Sequence, residues 1–250
     1  MAIAFSGGTD SSLLLSVGAE VLAGRAVGIM ARSSLQTAHE VRAAGSFAGS
    51  LGIQLEQVDL DPLSWPDFCV NSRDRCYICK KRMYASFQAA IPSGTRLMDG
   101  TNIDDLGADR PGLRAIEELS VRTPLVEAGL SKAEVRKLSR DLGLVSWNLP
   151  SSSCLATRIS QGSRITLEKL ALVEKSEQYL GTLGFSGCRT RFVNNSVVIS
   201  LTKGDFDRIA GDEMRLEIRK FFANLNLPKV FLDLSERQGI VASSLDRSDI

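Results

Sequence analysis

The sequence predicts an α/β fold: a parallel sheet flanked by helices over residues 1–160, followed by a smaller C-terminal α+β domain over residues 161–250. Three observations predict it. Short apolar runs alternate with helix-length stretches through the first part of the chain, the pattern of successive βαβ units. The first run ends in a Gly-Gly turn that opens straight into a helix, Ala-Ile-Ala-Phe-Ser-Gly-Gly-Thr-Asp-Ser-Ser at residues 2–12. From Thr166 the order changes to helix, two alternating strands, helix and strand, which describes a compact α+β module. A chain of 250 residues, 44% of them hydrophobic, can build two such modest cores.

Ile3 and Phe5 close the first strand. Gly7 and Gly8 let the backbone turn sharply, and residues 12–21 carry the apolar period of a helix. A phosphate fits that helix's N-terminus. Its open N–H groups and the positive end of its dipole favour an anion, and the hydroxyls of Ser6, Ser11 and Ser12 add donors. Asp10 stands apart, since a carboxylate repels phosphate; it suits Mg²⁺ or a hydrogen bond to the turn. The lysine of a Walker A loop is absent, which argues against γ-phosphate transfer.

Residues 26–30 read as the second strand, 33–51 as a helix with Ser34 as N-cap, and 53–58 as the third strand. In a parallel sheet the turn after the second strand, residues 30–34, lies beside the first loop, where Met30 and its neighbours can offer backbone groups to adenine. His39 is the only histidine, so no Ser-His-Asp or Cys-His triad and no two-histidine metal site can be built.

Residues 71–83, Asn-Ser-Arg-Asp-Arg-Cys-Tyr-Ile-Cys-Lys-Lys-Arg-Met, place Cys76 and Cys79 at the entry of a helix running to about residue 90. A helix N-terminus and the nearby Arg73, Arg75, Lys80, Lys81 and Arg82 favour thiolates there. The pair suits a metal or cluster site or a redox dithiol; the plainer alternative is two helix cysteines on a basic surface. Residues 97–102 read as a fourth strand running into a turn at Gly100, followed by Asp104, Asp105, Asp109 and Arg110. Acids at a strand's carboxyl end can hold Mg²⁺, and Arg110 can meet a phosphate. Ser131 and Glu134 form a capping box. The loop over 147–162 contains Pro150, a serine cluster and Gly162, and carries Cys154 and Arg158.

The second domain reads as a helix over 167–183, strands over 189–192 and 196–201, a helix over 205–224 and a strand over 230–234. Arg189 and Arg191 share one strand face, where they suit either an anionic ligand or a cross-strand ion-pair ladder. The tail after Arg237 reads as weakly ordered. A net charge of +1 gives no reason to expect a nucleic-acid or membrane partner. With no membrane-length apolar run and no signal-like stretch before the first strand, a cytoplasmic protein is expected. In that compartment the five cysteines suit metal, cluster or catalytic work better than disulfides.

Residues 6–12, Arg-Cys-Tyr-x-Cys-Lys at 75–80, Asp-Gly-Thr-Asn at 99–102, Asp-Arg-Pro-Gly at 109–112, the loop over 147–162 and Arg-x-Arg-Phe at 189–192 together cover nearly the whole chain. The combination resembles the LarE-type sulfur transferases of the PP-loop ATP pyrophosphatase superfamily, which incorporate sulfur in making the nickel-pincer nucleotide cofactor of lactate racemase. The resemblance implies a PP-loop (HUP-like) fold and a reaction in two halves. ATP adenylylates a carboxylate of pyridinium-3,5-biscarboxylic acid mononucleotide, releasing pyrophosphate, and sulfur then displaces AMP to leave a thiocarboxylate.

On that resemblance, ATP falls to Ser6, Gly7, Gly8, Thr9, Asp10, Ser11, Ser12, Met30, Gly100, Asp105 and Arg110, with Asp10 also holding Mg²⁺. The substrate falls to Lys80, Arg158, Arg189 and Arg191. Cys76, Cys79 and Cys154 match the three-cysteine type that holds a [4Fe-4S] cluster bearing an extra sulfide; the other type sacrifices a cysteine. Cys69 and Cys188 lie outside the matching motifs and read as structural. The implied partners are the nucleotide substrate, a sulfide donor and further copies of the chain in a homo-oligomer, assembled through the smaller domain. Two departures touch the substrate side: Arg-Ile-Ser-Gln-Gly at 158–162 replaces Arg-Ile-Pro-Tyr-Gly, and Ser200 stands where a glutamate is frequent. The alternatives are a tRNA-thiolating or ammonia-using enzyme of the same superfamily, or a non-catalytic nucleotide-binding protein.

Overall fold

The computed structural model describes residues 1–107, 110–150, 153–193, 196–202 and 204–237. Asp109, Ser151 and Ser152 of the serine cluster, and the tail after Arg237 lie outside the described residues. The chain divides into two units, Met1–Leu149 with Gln161–Leu167, and Pro150–Ser160 with Glu168–Ile250. Around the expected boundary at residue 160 the segments interchange: the stretch carrying Cys154 and Arg158 goes with the second unit, and the next seven residues go with the first.

The first unit runs β1 (Ala2–Ala4), α1 (Thr9–Leu22), β2 (Val27–Arg32), α2 (Ala38–Ser50), β3 (Leu55–Asp59), α3 (Pro66–Cys69), α4 (Arg75–Ala90), β4 (Leu97–Met98), α5 (Ile103–Leu106), α6 (Gly112–Glu118), α7 (Pro124–Glu127) and α8 (Lys132–Asp141). Its sheet is parallel in the order β3-β2-β1-β4. This is the α/β architecture that the alternating pattern predicts. Side chains alternate across it with period two. Ile3, Met30 and Met98 pack with Leu14, Leu15, Ala44 and Ala48 on one face, while Ala2, Ile29 and Leu97 pack with Tyr84, Phe87 and Ile116 on the other.

The strand order decides where a ligand belongs. The chain steps outward from β1 to β2 and β3, then returns to place β4 on the other side of β1, so the sheet switches direction between β1 and β4. Loops leaving adjacent strands there run to opposite sides and open a crevice at the strands' carboxyl ends.

Some boundaries differ from the sequence reading, each for a local reason. The helix expected from residue 33 begins at Ala38, capped by Thr37 in a capping box with Glu40 rather than by Ser34. Ser33 and Gln36 instead close a turn, in which Ser33 Oγ and the Gln36 amide bond each other at 3.2 Å. The fourth strand ends at Met98, because residues 99–101 leave it to line the crevice and Asn102 caps α5.

In the second unit α9 (Leu167–Thr182) is followed by β5 (Arg189–Val193), β6 (Ser196–Thr202), α10 (Phe206–Ala210), α11 (Asp212–Asn224) and β7 (Lys229–Arg237). The helix expected over 205–224 is broken at Gly211, whose backbone is extended. The sheet is mixed in the order β5-β6-β7, antiparallel then parallel. Tyr179 of α9 stacks on Phe221 of α11 at 3.7 Å between ring centres, and Phe222 is fully buried. Among the described residues, no helix is long and apolar enough to cross a membrane.

Candidate active site

A cavity of ≈ 230 Å³ opens at the carboxyl ends of β1, β2 and β4, lined by Ser6, Gly8, Asp10 and Ser11 from the first loop and by Asp99, Gly100 and Thr101 after β4. Gly7 takes φ +77°, a conformation that favours glycine, and turns the chain from β1 into α1. The N-cap of α1 is Gly8, which supplies no side-chain acceptor. By contrast α2, α5 and α8 each carry a capping box. The first N–H groups of α1 therefore lack the internal acceptors that the neighbouring helices possess, which suits an anion. Ser11 Oγ donates to Gly8 O at 3.1 Å and accepts from Ser6 N at 3.3 Å, so this hydroxyl pins the turn. Thr9 and Ser12 are buried and do not line the cavity; Thr9 Oγ1 donates to Ser146 O at 2.9 Å.

Asp10 faces the cavity and is held from two sides. Lys132 Nζ lies 2.5 Å from its Oδ2, and Asn102 Nδ2 donates to its Oδ1 at 3.2 Å. Its neighbour across the crevice is Gly100, where a Cβ would meet Ser11 N at 2.9 Å, so only glycine lets this turn rest against the first turn of α1. Asp105 pairs with Arg110 at 2.5 Å, and both line the cavity.

Asp99 is the best-buried carboxylate of the cavity. Tyr84 OH and Thr101 Oγ1 donate to it, Thr101 N donates at 2.7 Å, and Lys80 Nζ lies 3.3 Å away. Burial pushes this carboxyl up, but Lys80 and the hydroxyl donors outweigh it and leave Asp99 below the ordinary carboxylate range. Burial, reinforced by the Asp99 charge, pushes the Tyr84 phenol well above its usual value. Lys80, expected on the substrate side, is thus placed in this cavity.

Ala31, Gln36, Met83 and Phe87 line the side of the cavity toward β2 and α4. Met30 lies inside β2 with its side chain in the opposite core face; Ala31, one residue on, is the one that reaches the cavity. His39 is exposed on α2. Asp99, Thr101, Tyr84, Gln36 and Lys132 were not singled out by sequence reasoning. Asp99 and Thr101 flank Gly100 in a motif the sequence displays, whereas Tyr84 and Lys132 carried no local signal.

Cys76 and Cys79 stand one turn apart at the start of α4, Cys76 exposed and Cys79 half-buried, with Arg75 Nη2 3.7 Å from Cys76 Sγ. Cys154 is half-buried and belongs to the second unit. None of the five cysteines forms a disulfide. Cys76 and Cys79, spaced i and i+3 on one helix and outside any disulfide, are thiols of the kind that an iron-sulfur cluster takes as ligands. Among the described residues no three His, Cys, Asp or Glu side chains gather as if around one metal ion. Cys69 is buried and its thiol points to Leu63 O at 3.2 Å. Burial pushes the Cys188 thiol up to about 12, so it stays protonated.

Within the second unit Arg158 is almost fully buried. Its Nε lies 3.0 Å from Glu177 Oε1, and its Nη1 donates to Cys154 O and to the hydroxyls of Ser153 and Thr157, each at 2.8 Å. This guanidinium therefore braces the turn that carries Cys154. Arg189 shares Glu177 at 3.4 Å, and burial, with the nearby Arg158 charge, pulls it below its usual value. Arg191 is exposed and makes the cross-strand contact, donating to Ser200 Oγ at 2.9 Å and lying 3.8 Å from Asp233. Ser200 in turn donates to Asp233 Oδ2 at 3.1 Å, so β7 supplies a carboxylate next to the position where a glutamate is frequent.

No family model matches the chain. Individual proteins do. A pyridinium-3,5-bisthiocarboxylic acid mononucleotide synthase of Lactiplantibacillus plantarum is 34% identical over 256 residues, covering 99% of this chain and 91% of the relative. An uncharacterized protein of Synechocystis sp., slr1717, is 36% identical over 247 residues, 98% of this chain and 91% of its own. Another from Methanocaldococcus jannaschii, MJ0830, is 29% identical over 238 residues, 93% and 88% of the two chains.

Proposed function

The chain belongs to the LarE family, that of the pyridinium-3,5-bisthiocarboxylic acid mononucleotide synthase, and on that premise we propose that it is an ATP-dependent sulfur transferase of nickel-pincer cofactor synthesis. A carboxylate oxygen of pyridinium-3,5-biscarboxylic acid mononucleotide attacks the α-phosphorus of ATP. The bond to the bridging oxygen breaks, and pyrophosphate leaves with both electrons. Sulfide then adds to the activated carbonyl carbon, the carbon–oxygen bond to AMP breaks, and a thiocarboxylate remains.

The observation that carries this reading is the uncapped first turn of α1 facing the cavity at the sheet's switch point, with Asp10 in the same wall. Open N–H groups and the Ser6 hydroxyl suit the phosphates, and Lys80 and Arg110 bring positive charge to the same cavity, where it would offset negative charge growing on the leaving group. Asp10 would hold Mg²⁺, which when bound screens the departing pyrophosphate. Cys76, Cys79 and Cys154 would hold a [4Fe-4S] cluster, which when bound supplies the transferable sulfide. Arg191, exposed on β5, would meet the anionic substrate, while Arg158 orients the turn of Cys154.

The test is product formation with ATP, Mg²⁺ and sulfide in the presence and absence of the biscarboxylate nucleotide. AMP and pyrophosphate appearing together, and only with the acceptor, is the expected result. No pyrophosphate with any acceptor would leave a nucleotide-binding protein without this chemistry.

A further inference from the structure

We propose that Gln36 is the residue that selects adenine over guanine, an inference that rests on reading this cavity as the ATP site. The cavity is polar toward α1 and β4. Toward β2 and α4 its walls are Ala31, Met83 and Phe87, of which Ala31 and Phe87 share one core cluster. A base belongs against those walls, with the phosphates at the first turn of α1. Gln36 brings a polar side chain to the apolar side, from the turn that follows β2.

The orientation of its amide is fixed by its neighbours. Gln36 Nε2 donates to Ala31 O at 3.0 Å, and a carbonyl can only accept, so the NH₂ group must face it. On the other side Ser33 Oγ donates to Gln36 Oε1 at 3.2 Å. A glutamine amide has two N–H bonds and two oxygen lone pairs, so one donor and one acceptor site remain for a ligand. That pair is complementary to adenine, which offers an N6–H donor next to a ring-nitrogen acceptor. Guanine carries a carbonyl where adenine carries the amine. Reading guanine would require the amide to flip, and the flip would set Oε1 against the Ala31 carbonyl, two acceptors face to face. The same two bonds that close the turn after β2 therefore give the base-reading edge its polarity.

The experiment is calorimetric titration of the protein with Mg·ATP, Mg·GTP and Mg·ITP, without acceptor or sulfide. The wild type is expected to bind ATP at least about tenfold more tightly than either competitor, the discrimination of one bidentate contact. ITP separates the two explanations for weak GTP binding, because it shares guanine's carbonyl but lacks its 2-amino group; ITP binding as tightly as ATP overturns the proposal. Gln36→Met, similar in volume but without the amide, is expected to bring ATP and ITP within about threefold of each other. A variant that binds ATP and keeps the wild-type ratio overturns the assignment of Gln36 alone. A wild type that binds none of the three nucleotides overturns the ATP reading along with it.

Discussion

Lys132 Nζ lies 2.5 Å from Asp10 Oδ2, so the carboxylate expected to meet a metal ion already has an internal cation. Lys132 opens α8, and its backbone N–H donates to Asp104 Oδ2 at 2.8 Å, which ties α8 to α5 beside the cavity. Asp10→Asn keeps the shape and removes the charge. AMP formation is expected to fall at least about 100-fold, the scale of losing a main electrostatic group at a reacting phosphate. Iron content after anaerobic reconstitution should be unchanged, since no cysteine is touched. The ion pair itself is partly exposed, so Lys132→Met should cost about 1 kcal/mol or less in a denaturant titration. A larger loss would mean that the pair is chiefly structural.

Gly100→Ala tests how closely the two loops must approach. The added methyl would sit 2.9 Å from Ser11 N, which is backbone and cannot swing aside. A cost of about 1–3 kcal/mol is expected from the forced shift, with ATP affinity falling more than stability predicts, because the moved atoms belong to the turn proposed to hold the phosphates. Wild-type nucleotide affinity in this variant would show that the turn tolerates displacement.

The Asp99 cluster gives stability a definite pH dependence. The folded carboxyl lies below its unfolded value, so its contribution is full above about pH 4 and disappears as pH falls through the folded value. Tyr84 has the opposite sign: its phenol is raised, so its contribution is full below about pH 10 and is lost as pH climbs further. Tyr84→Phe should cost about 2 kcal/mol at neutral pH, the usual worth of a hydrogen bond to a charged group, and should flatten the alkaline limb of a urea-midpoint profile. Asp99→Asn should flatten the acid limb. An unaltered acid limb in that variant contradicts the ionised state assigned to Asp99.

Arg158 joins Glu177 to the turn of Cys154, and a lysine cannot reproduce its branched set of donors. Arg158→Lys, which keeps the charge but loses donors to buried acceptors, should therefore cost about 1–3 kcal/mol. It should also speed alkylation of Cys154 by iodoacetamide relative to Cys76. Equal labelling rates before and after substitution would separate Arg158 from the positioning of that sulfur.

The alternation of apolar runs made the parallel sheet legible in the sequence, and the Gly-Gly turn marked where β1 hands over to α1. Both are local signals. Lys132 and Tyr84 were not legible, because tertiary placement brings Lys132 from the start of α8 to Asp10 and Tyr84 from the third turn of α4 to the cavity wall. Met30 and Ala31 differ by a single step in a period-two strand, and the core face that claims Met30 is decided by α1 and α2 packing on it. The paired arginines on β5 illustrate a different limit: a shared strand face did not distinguish Arg189, drawn to Glu177 of α9, from Arg191, which crosses to β6 and β7.

The most direct test of sulfur transfer is mass spectrometry of both substrate and protein after anaerobic incubation with ATP, Mg²⁺, the biscarboxylate nucleotide and sulfide. The expected result is a thiocarboxylate product formed in excess over the protein, with AMP and pyrophosphate in step and an intact polypeptide mass. A product limited to one equivalent, with a polypeptide lighter by the mass of H₂S, would contradict transfer from a cluster; no thiocarboxylate at all would contradict the sulfur transferase itself.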